Sequence, residues 1–435
     1  MSGVGVGPYA ELTVDAQGDV DRTTLAAVAG LDVTDLLVFA HGWNSDRSTA
    51  TRLYDRFFAP FPGLVGPGVR LGYVGVVWPS MRFSDEPIPD FDPSAAGTTA
   101  TGGWSELDAE TRRALGEFWP GREAELDRIA RLLAERPESQ AAFAEFGALV
   151  RELAGVGPAD PGSAAGGDVA GEVPAMFTED PLEVCRVFTD ALAAAGGPAA
   201  SPEEGGGREL SFGGGLRRLW NGAKEVLRQA AYYEMKKRAG VVGERGLGPA
   251  LVEVARSRTE LRVHLVGHSF GARVVSFALR GLPDGWSFVK SLTLLQGAFS
   301  HYAFSNQLPH DRGRGGELRG LQRRIDGPVV ACHSDHDTAL KVFYPLASRM
   351  AGDSAGFAGF DARWGAIGHD GVQALPGAPR LTLEAALREG LPGGGCVSVD
   401  AASVVRRGGA PSGAHSDVCH EELARVVVSA GRMWR

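Results

Sequence analysis

Residues 35–40, DLLVFA, form a short unbroken apolar run, the pattern of a strand covered on both faces. The polar segment His41-Gly42-Trp43-Asn44 follows, and then a helical pattern from about Asp46 to Phe58 that Ser45 or Asp46 can cap. The next apolar run, Leu71 to Trp78, stops at Pro79, which cannot donate to a sheet ladder. From Ser80 to about residue 215 the period changes. Leu126, Ile129, Leu132 and Leu133 recur at helical spacing, as do Phe143, Phe146, Leu149, Val150 and Leu153, and no strand alternation interrupts them. Residues 216–238 then place Leu216, Leu219, Trp220, Ala223, Val226, Leu227, Ala230 and Ala231 on one stripe, which predicts a long amphipathic helix. Strand character returns at Val263, Leu265 and Val266, at 287–295, at 328–332 and in an extended stretch at 396–407. A helix over 418–430 closes the chain. Strands alternating with helices in this way predict a parallel sheet covered on both faces.

Three segments follow from this pattern. Residues 1–79 and 216–435 are two parts of one α/β core, and residues 80–215 are a helical insertion with Gly-rich hinges at 154–172 and 194–215. Composition changes the picture little, because 44% hydrophobic and 22% charged residues are ordinary for a globular chain. The net charge of −9 and the shortness of the one basic block, Lys236-Lys237-Arg238, argue against nucleic acid as a partner. No basic leader with an apolar stretch opens the chain and no run of about 18 apolar residues occurs, so a cytoplasmic protein without integral membrane association is expected. The four cysteines, at 185, 332, 396 and 419, form no C-x-x-C pair and are expected as reduced thiols, with a Cys396–Cys419 pairing left open.

The chemistry enters at LRVHLVGHSFG, residues 261–271, where an apolar strand breaks at Gly267-His268-Ser269-Phe270-Gly271 and a helical pattern follows. This is G-x-S-x-G between strand and helix, a turn sharp enough to present a serine hydroxyl. A hydroxyl is a poor nucleophile at neutral pH and needs a base, a group orienting that base, and donors for the oxyanion. His415, in a Gly-rich loop before the last helix, is the candidate base. Asp337, after the strand at 328–332, is the candidate orienting acid.

The order Ser269, Asp337, His415, together with HGWN and GHSFG, resembles the α/β-hydrolase superfamily, and is similar to its esterase and lipase-like members, over residues 35–80 and 260–435. The resemblance implies a three-layer α/β/α sandwich with a mostly parallel sheet and a helical cap inserted after Trp78. It implies oxyanion donors at the backbone N–H groups of Trp43 and Phe270, and an acyl-enzyme mechanism on a small-molecule or acyl ester without cofactor or metal. Amide or peptide hydrolysis and acyl transfer use the same constellation, and a non-catalytic binding scaffold is the remaining alternative.

Rivals stand beside each assignment. His369 and His420 compete with His415, although a helix starting near Val418 would enclose His420. Asp335 competes with Asp337, which lies deeper in its turn, and the strand at 287–295 ends in Gln296-Gly297-Ala298 without a carboxylate. His333, Asp335, His336 and Asp337 are dense enough in ligand types to suggest a hydrolytic metal, but no other His-rich segment completes such a site. His264 reads as a core histidine and His41 as a brace for its loop. His268, Trp220 and Tyr233 are expected at the substrate pocket, and Trp220, Tyr232, Tyr233 and Met235 all lie on the long helix returning from the insertion, where they could line an acyl pocket and where plain packing is the competing role.

Overall fold

The computed structural model describes residues 3–43, 45–80, 106–156, 175–194, 212–256, 258–343, 365–409 and 412–434, and the structural statements below concern these residues. The chain opens with strand β1 (Tyr9–Thr13), helix α1 (Arg22–Ala29), β2 (Asp35–Ala40), α2 (Arg47–Phe58) and β3 (Leu71–Val77). Helices α3 (Ala109–Phe118), α4 (Glu123–Glu135), α5 (Gln140–Leu153), α6 (Pro181–Ala194) and α7 (Phe212–Val241) follow. A π-helical turn, Val242–Leu247, leads into α8 (Gly248–Arg256). Then come β4 (Arg262–His268), α9 (Phe270–Ala278), β5 (Val289–Leu295), β6 (Pro328–His333), β7 (Arg380–Thr382), a helix over Leu383–Glu389, β8 (Gly395–Asp400) and the terminal helix Glu421–Gly431.

The eight strands form one sheet in the order β1-β3-β2-β4-β5-β6-β8-β7, and every neighbouring pair is parallel. β2 shows why its apolar run is unbroken. Leu36, Val38 and Ala40 face one core with Leu251 of α8 and Val274 of α9, while Leu37 and Phe39 face the other with Tyr54 and Phe57 of α2 and Val427 of the terminal helix. The Phe39 and Phe57 rings lie 4.6 Å apart. Asp46 caps α2 as its sequence position predicts, its carboxylate accepting the Thr49 N–H at 2.7 Å.

The segment between β3 and β4 holds helices and no strand in its described part. Its interior is aromatic, with Trp220 of α7 stacked on Phe143 of α5 at 4.3 Å and set edge-on to Phe146 at 5.8 Å. The long α7 packs on α6 and also on α9, so it joins the inserted helices to the sheet's helical layer. The Gly-rich hinges read at 154–172 and 194–215 fall largely outside the described residues.

Several elements differ from the periodicity reading. β1, α1, β7 and the helix Leu383–Glu389 leave no strong periodic signal, being short or at a sheet edge. β8 ends at Asp400, because the Val404 and Val405 N–H groups turn back onto Ala401 O, so the extended stretch does not reach 407. The terminal helix begins at Glu421, which leaves His420 as its N-cap position outside the first turn. All four cysteines are free thiols, so no Cys396–Cys419 pair forms. Among the described residues no helix is long and apolar enough to cross a membrane.

Candidate functional site

Strand register decides which loops meet. Ala40 of β2 pairs with Gly267 of β4, His268 with Leu295 of β5, and Leu295 with Cys332 of β6, so the segments after these strands leave the sheet at one edge. From β2 the chain moves to β3 on one side, and β4 to β6 build outward on the other. The crevice at such a reversal is where parallel α/β sheets offer a site.

Ser269 stands between β4 and α9 at φ 56°, ψ −120°, a conformation non-glycine residues seldom adopt. Its N–H donates to Leu295 O at 3.0 Å, and its carbonyl accepts the Ala272 and Ala298 N–H groups at 3.1 and 3.2 Å. These bonds hold the strained turn. A Cβ on Gly267 would overlap the Gly271 backbone and one on Gly271 would overlap Ala40 O, which is why both flanking positions lack side chains. Gly42 is equally constrained: a Cβ there would stand 2.5 Å from Ser269 Cβ and 2.9 Å from His268 O. The HGW segment therefore lies directly against the serine.

The loop before the terminal helix brings His415 over this turn. Its Nε2 lies 2.9 Å from Ser269 Oγ, and its Nδ1 lies 2.7 Å from Asp337 Oδ2. Asp337 is fully buried after β6, and it also accepts the Leu340 N–H on Oδ1 at 3.0 Å and Gln296 Nε2 on Oδ2 at 3.2 Å. Three donors converge on one carboxylate. The His415 Nδ1 facing it carries the hydrogen, which leaves Nε2 to accept from the Ser269 hydroxyl. The arrangement can therefore pass the Ser269 proton to the imidazole and hold the resulting cation against Asp337.

Two further histidines fix the surroundings. His268 donates from Nε2 to His415 O at 2.8 Å and so ties down the loop that carries His415. Burial, with the neighbouring His415 and against that backbone bond, takes the His268 pKa down to about 3, so it stays neutral as a donor. It is a clamp on the loop, and its Nε2 is not turned to a substrate. His41 lies stacked on Trp78 with ring centres 5.5 Å apart, while Trp78 Nε1 donates to His41 O at 3.0 Å. Burial lowers the His41 pKa to about 4, partly offset by its bond to Gly42 O.

Phe270 opens α9 directly after Ser269, and first-turn amides have no acceptor within their own helix, so its N–H is left outside the helix's own hydrogen-bond ladder. Around it stand Tyr232 of α7, with rings 4.4 Å apart, and Trp43, 6.2 Å from Phe270 and 5.8 Å from Tyr232. The other aromatic positions expected at a pocket are elsewhere. Trp220 is fully buried among the inserted helices with Nε1 donating to Pro137 O at 3.1 Å, and Tyr233 packs on Phe177 under the Lys237 ammonium. Met235 is fully buried too. The reason is rotational: one residue along a helix turns the side chain by roughly 100°, so Tyr232 reaches α9 where Tyr233 does not.

The competing residues are also placed. His420 Nε2 meets Asp417 at 2.9 Å, and His369 sits on the turn Ile367–Asp370, 3.9 Å from Asp370. Asp335 points outward with its side chain 74% exposed, paired loosely with His336. His333 is buried at the end of β6. Among the described residues no three His, Cys, Asp or Glu side chains converge as a metal would require. His264 is a core histidine, bonded to Asp35 and Ser291 at 2.9 and 3.1 Å. Sequence reasoning did not assign roles to Gln296, Gly42 or the His268 clamp. A polar residue at the end of the strand beside the one carrying the acid was the only available signal for Gln296.

Comparisons with known protein families, with curated proteins and with solved structures return no match.

Proposed function

We propose that the chain is a serine hydrolase of α/β-hydrolase type that cleaves carboxylic esters through an acyl-enzyme. The observation carrying this reading is the continuous relay from Asp337 through His415 to Ser269 at a strained strand-to-helix turn. A serine in a plain surface or core role has no need of all three features at once. Ser269 Oγ attacks the acyl carbon as His415 Nε2 takes its proton, and Asp337 holds the tautomer and stabilises the imidazolium. The backbone N–H groups of Phe270 and Trp43 stabilise the oxyanion. His415 then returns the proton to the departing alcohol oxygen as the ester C–O bond breaks. A water deprotonated by His415 attacks the acyl-enzyme, and the proton passes back to Ser269 Oγ on release of the acid.

The inserted helices act as a cap in this reading, because Tyr232 reaches from α7 to the residue following the nucleophile. The test is covalent labelling by a fluorophosphonate, run beside a panel of esters, thioesters and amides. Labelling of the wild type, its absence in Ser269→Ala, and a loss of roughly three orders of magnitude in turnover are expected. Turnover in Ser269→Ala at a tenth of the wild-type rate would refute the assignment. Amides cleaved in preference to esters would correct the substrate class while keeping the mechanism.

A further inference from the structure

We infer that Gln296 is the positioning residue of this site: its amide aims the Asp337 carboxylate at His415, and the reaction depends on a hydrogen-bond donor at that point. The inference rests on the hydrolase reading above. Gln296 follows β5, next to β6, whose following loop carries Asp337. Its side chain is buried, with Nε2 2-fold bonded: 3.2 Å to Asp337 Oδ2, the oxygen that also faces His415, and 3.1 Å to Gly368 O. The amide has one workable orientation, since the reverse would set Oε1 against a carboxylate and a carbonyl.

Two unfavourable features accompany this placement. Gln296 takes φ 47°, in the left-handed region that a side chain seldom occupies, and its Oε1 is buried with no hydrogen-bond partner among the described residues. The fold accepts a strained backbone and an orphan acceptor while both amide hydrogens have acceptors, one of them the carboxylate behind the imidazole. A residue serving only to pack β5 against the turn Ile367–Asp370 needs neither. The donor does two things for Asp337. It supplies a fixed dipole to a carboxylate that burial deprives of water, and it selects the rotamer in which Oδ2 points at His415.

Among the described ionisable groups near residue 296, Asp337 is bonded to its amide and His415 to the same carboxylate oxygen, His369 and Asp370 follow the bonded Gly368, and His268 and Cys332 pair with the preceding Leu295 on the neighbouring strands. Asp370 is engaged by His301 at 2.8 Å. A carboxyl introduced at 296 would consequently respond first to Asp337.

Two substitutions test this by steady-state kinetics and fluorophosphonate labelling against pH. Gln296→Leu keeps the bulk and removes the donor, and kcat should fall roughly ten- to a hundredfold with KM little changed. Gln296→Glu is the sharper test. Protonated, the new carboxyl donates to Asp337 and sustains activity; ionised, it repels that carboxylate. Burial beside a like charge raises the pH at which it ionises, so an alkaline fall in kcat absent from the wild type should appear between about pH 6 and 9. A purely structural role predicts a loss of the same factor at every pH. A Gln296→Glu profile parallel to the wild type, or a Gln296→Leu protein with wild-type kcat, overturns the inference. If Gln296→Glu does not fold, the kcat and KM split of Gln296→Leu decides. A wild type that no fluorophosphonate labels overturns the hydrolase reading itself, and this inference with it.

Discussion

Gly42→Ala is a one-carbon change whose consequence follows from distances. The added Cβ would stand 2.5 Å from Ser269 Cβ, 2.9 Å from His268 O and 3.2 Å from Ser269 Oγ. Carbon atoms in contact settle near 3.5–4.0 Å, so the serine and the HGW segment must separate by about 1 Å. Neither side yields easily. Ser269 is bonded on both flanks to Leu295 and Ala298, and the His41 carbonyl is held by Trp78 Nε1 at 3.0 Å. The overlap should cost about 1–3 kcal/mol of stability, an amount a domain of this size tolerates. The effect on chemistry should be larger, since a shift of about 1 Å stretches the 2.9 Å bond between Ser269 and His415 beyond hydrogen-bond length and costs roughly a hundredfold in rate. The assay is the second-order rate of fluorophosphonate labelling and kcat/KM, beside urea unfolding. Gly63→Ala, whose Cβ would meet nothing within 4 Å, is the control. Labelling of Gly42→Ala within about twofold of the wild type, with the fold intact, would refute the packing argument.

Trp220→Ala should destabilise the protein by about 3–5 kcal/mol through the cavity left beside Phe143 and Phe146, without changing preference among ester chain lengths. Tyr232→Ala should change that preference, and kcat/KM across a graded ester series checks both. His268→Phe removes the donor to His415 O and should slow labelling of Ser269 while leaving the fold intact by circular dichroism. Stability should also fall on acidification. His41 and His268 titrate at about 4 and about 3 in the folded chain and near 6.5 when unfolded, so the unfolded state binds more protons as the pH drops below 6.5. Each should cost about 2 kcal/mol between pH 7 and pH 5, with the full stability present above 6.5. Urea unfolding at the two pH values measures this, and His268→Phe should show the shallower dependence.

Much of this molecule is written locally. An unbroken apolar run such as DLLVFA has to be covered on both sides wherever it lies, and G-x-S-x-G between strand and helix demands one particular turn, so β2, β4, α9 and the position of Ser269 need no knowledge of the rest of the chain. The same holds for the helical period of 126–153. His415 and Asp337 are candidates by their places relative to predicted strands, but the meeting of His415 with Ser269 at 2.9 Å and with Asp337 at 2.7 Å depends on strand order and register, which bring segments 146 and 78 residues apart in sequence to one sheet edge. Asp337 separates from Asp335 by its burial and by its bond to His415, both fixed by what packs over the turn. Of the candidate aromatic residues on α7, Tyr232 reaches Phe270 and Tyr233 packs on Phe177, a choice helical phase alone does not make, since a stripe gives a face and not the neighbour that face will meet. Gln296 and Gly42 were hidden for a similar reason: a donor to a distant carboxylate and the lack of room for one methyl group are relations between segments, and those exist only once the chain has folded.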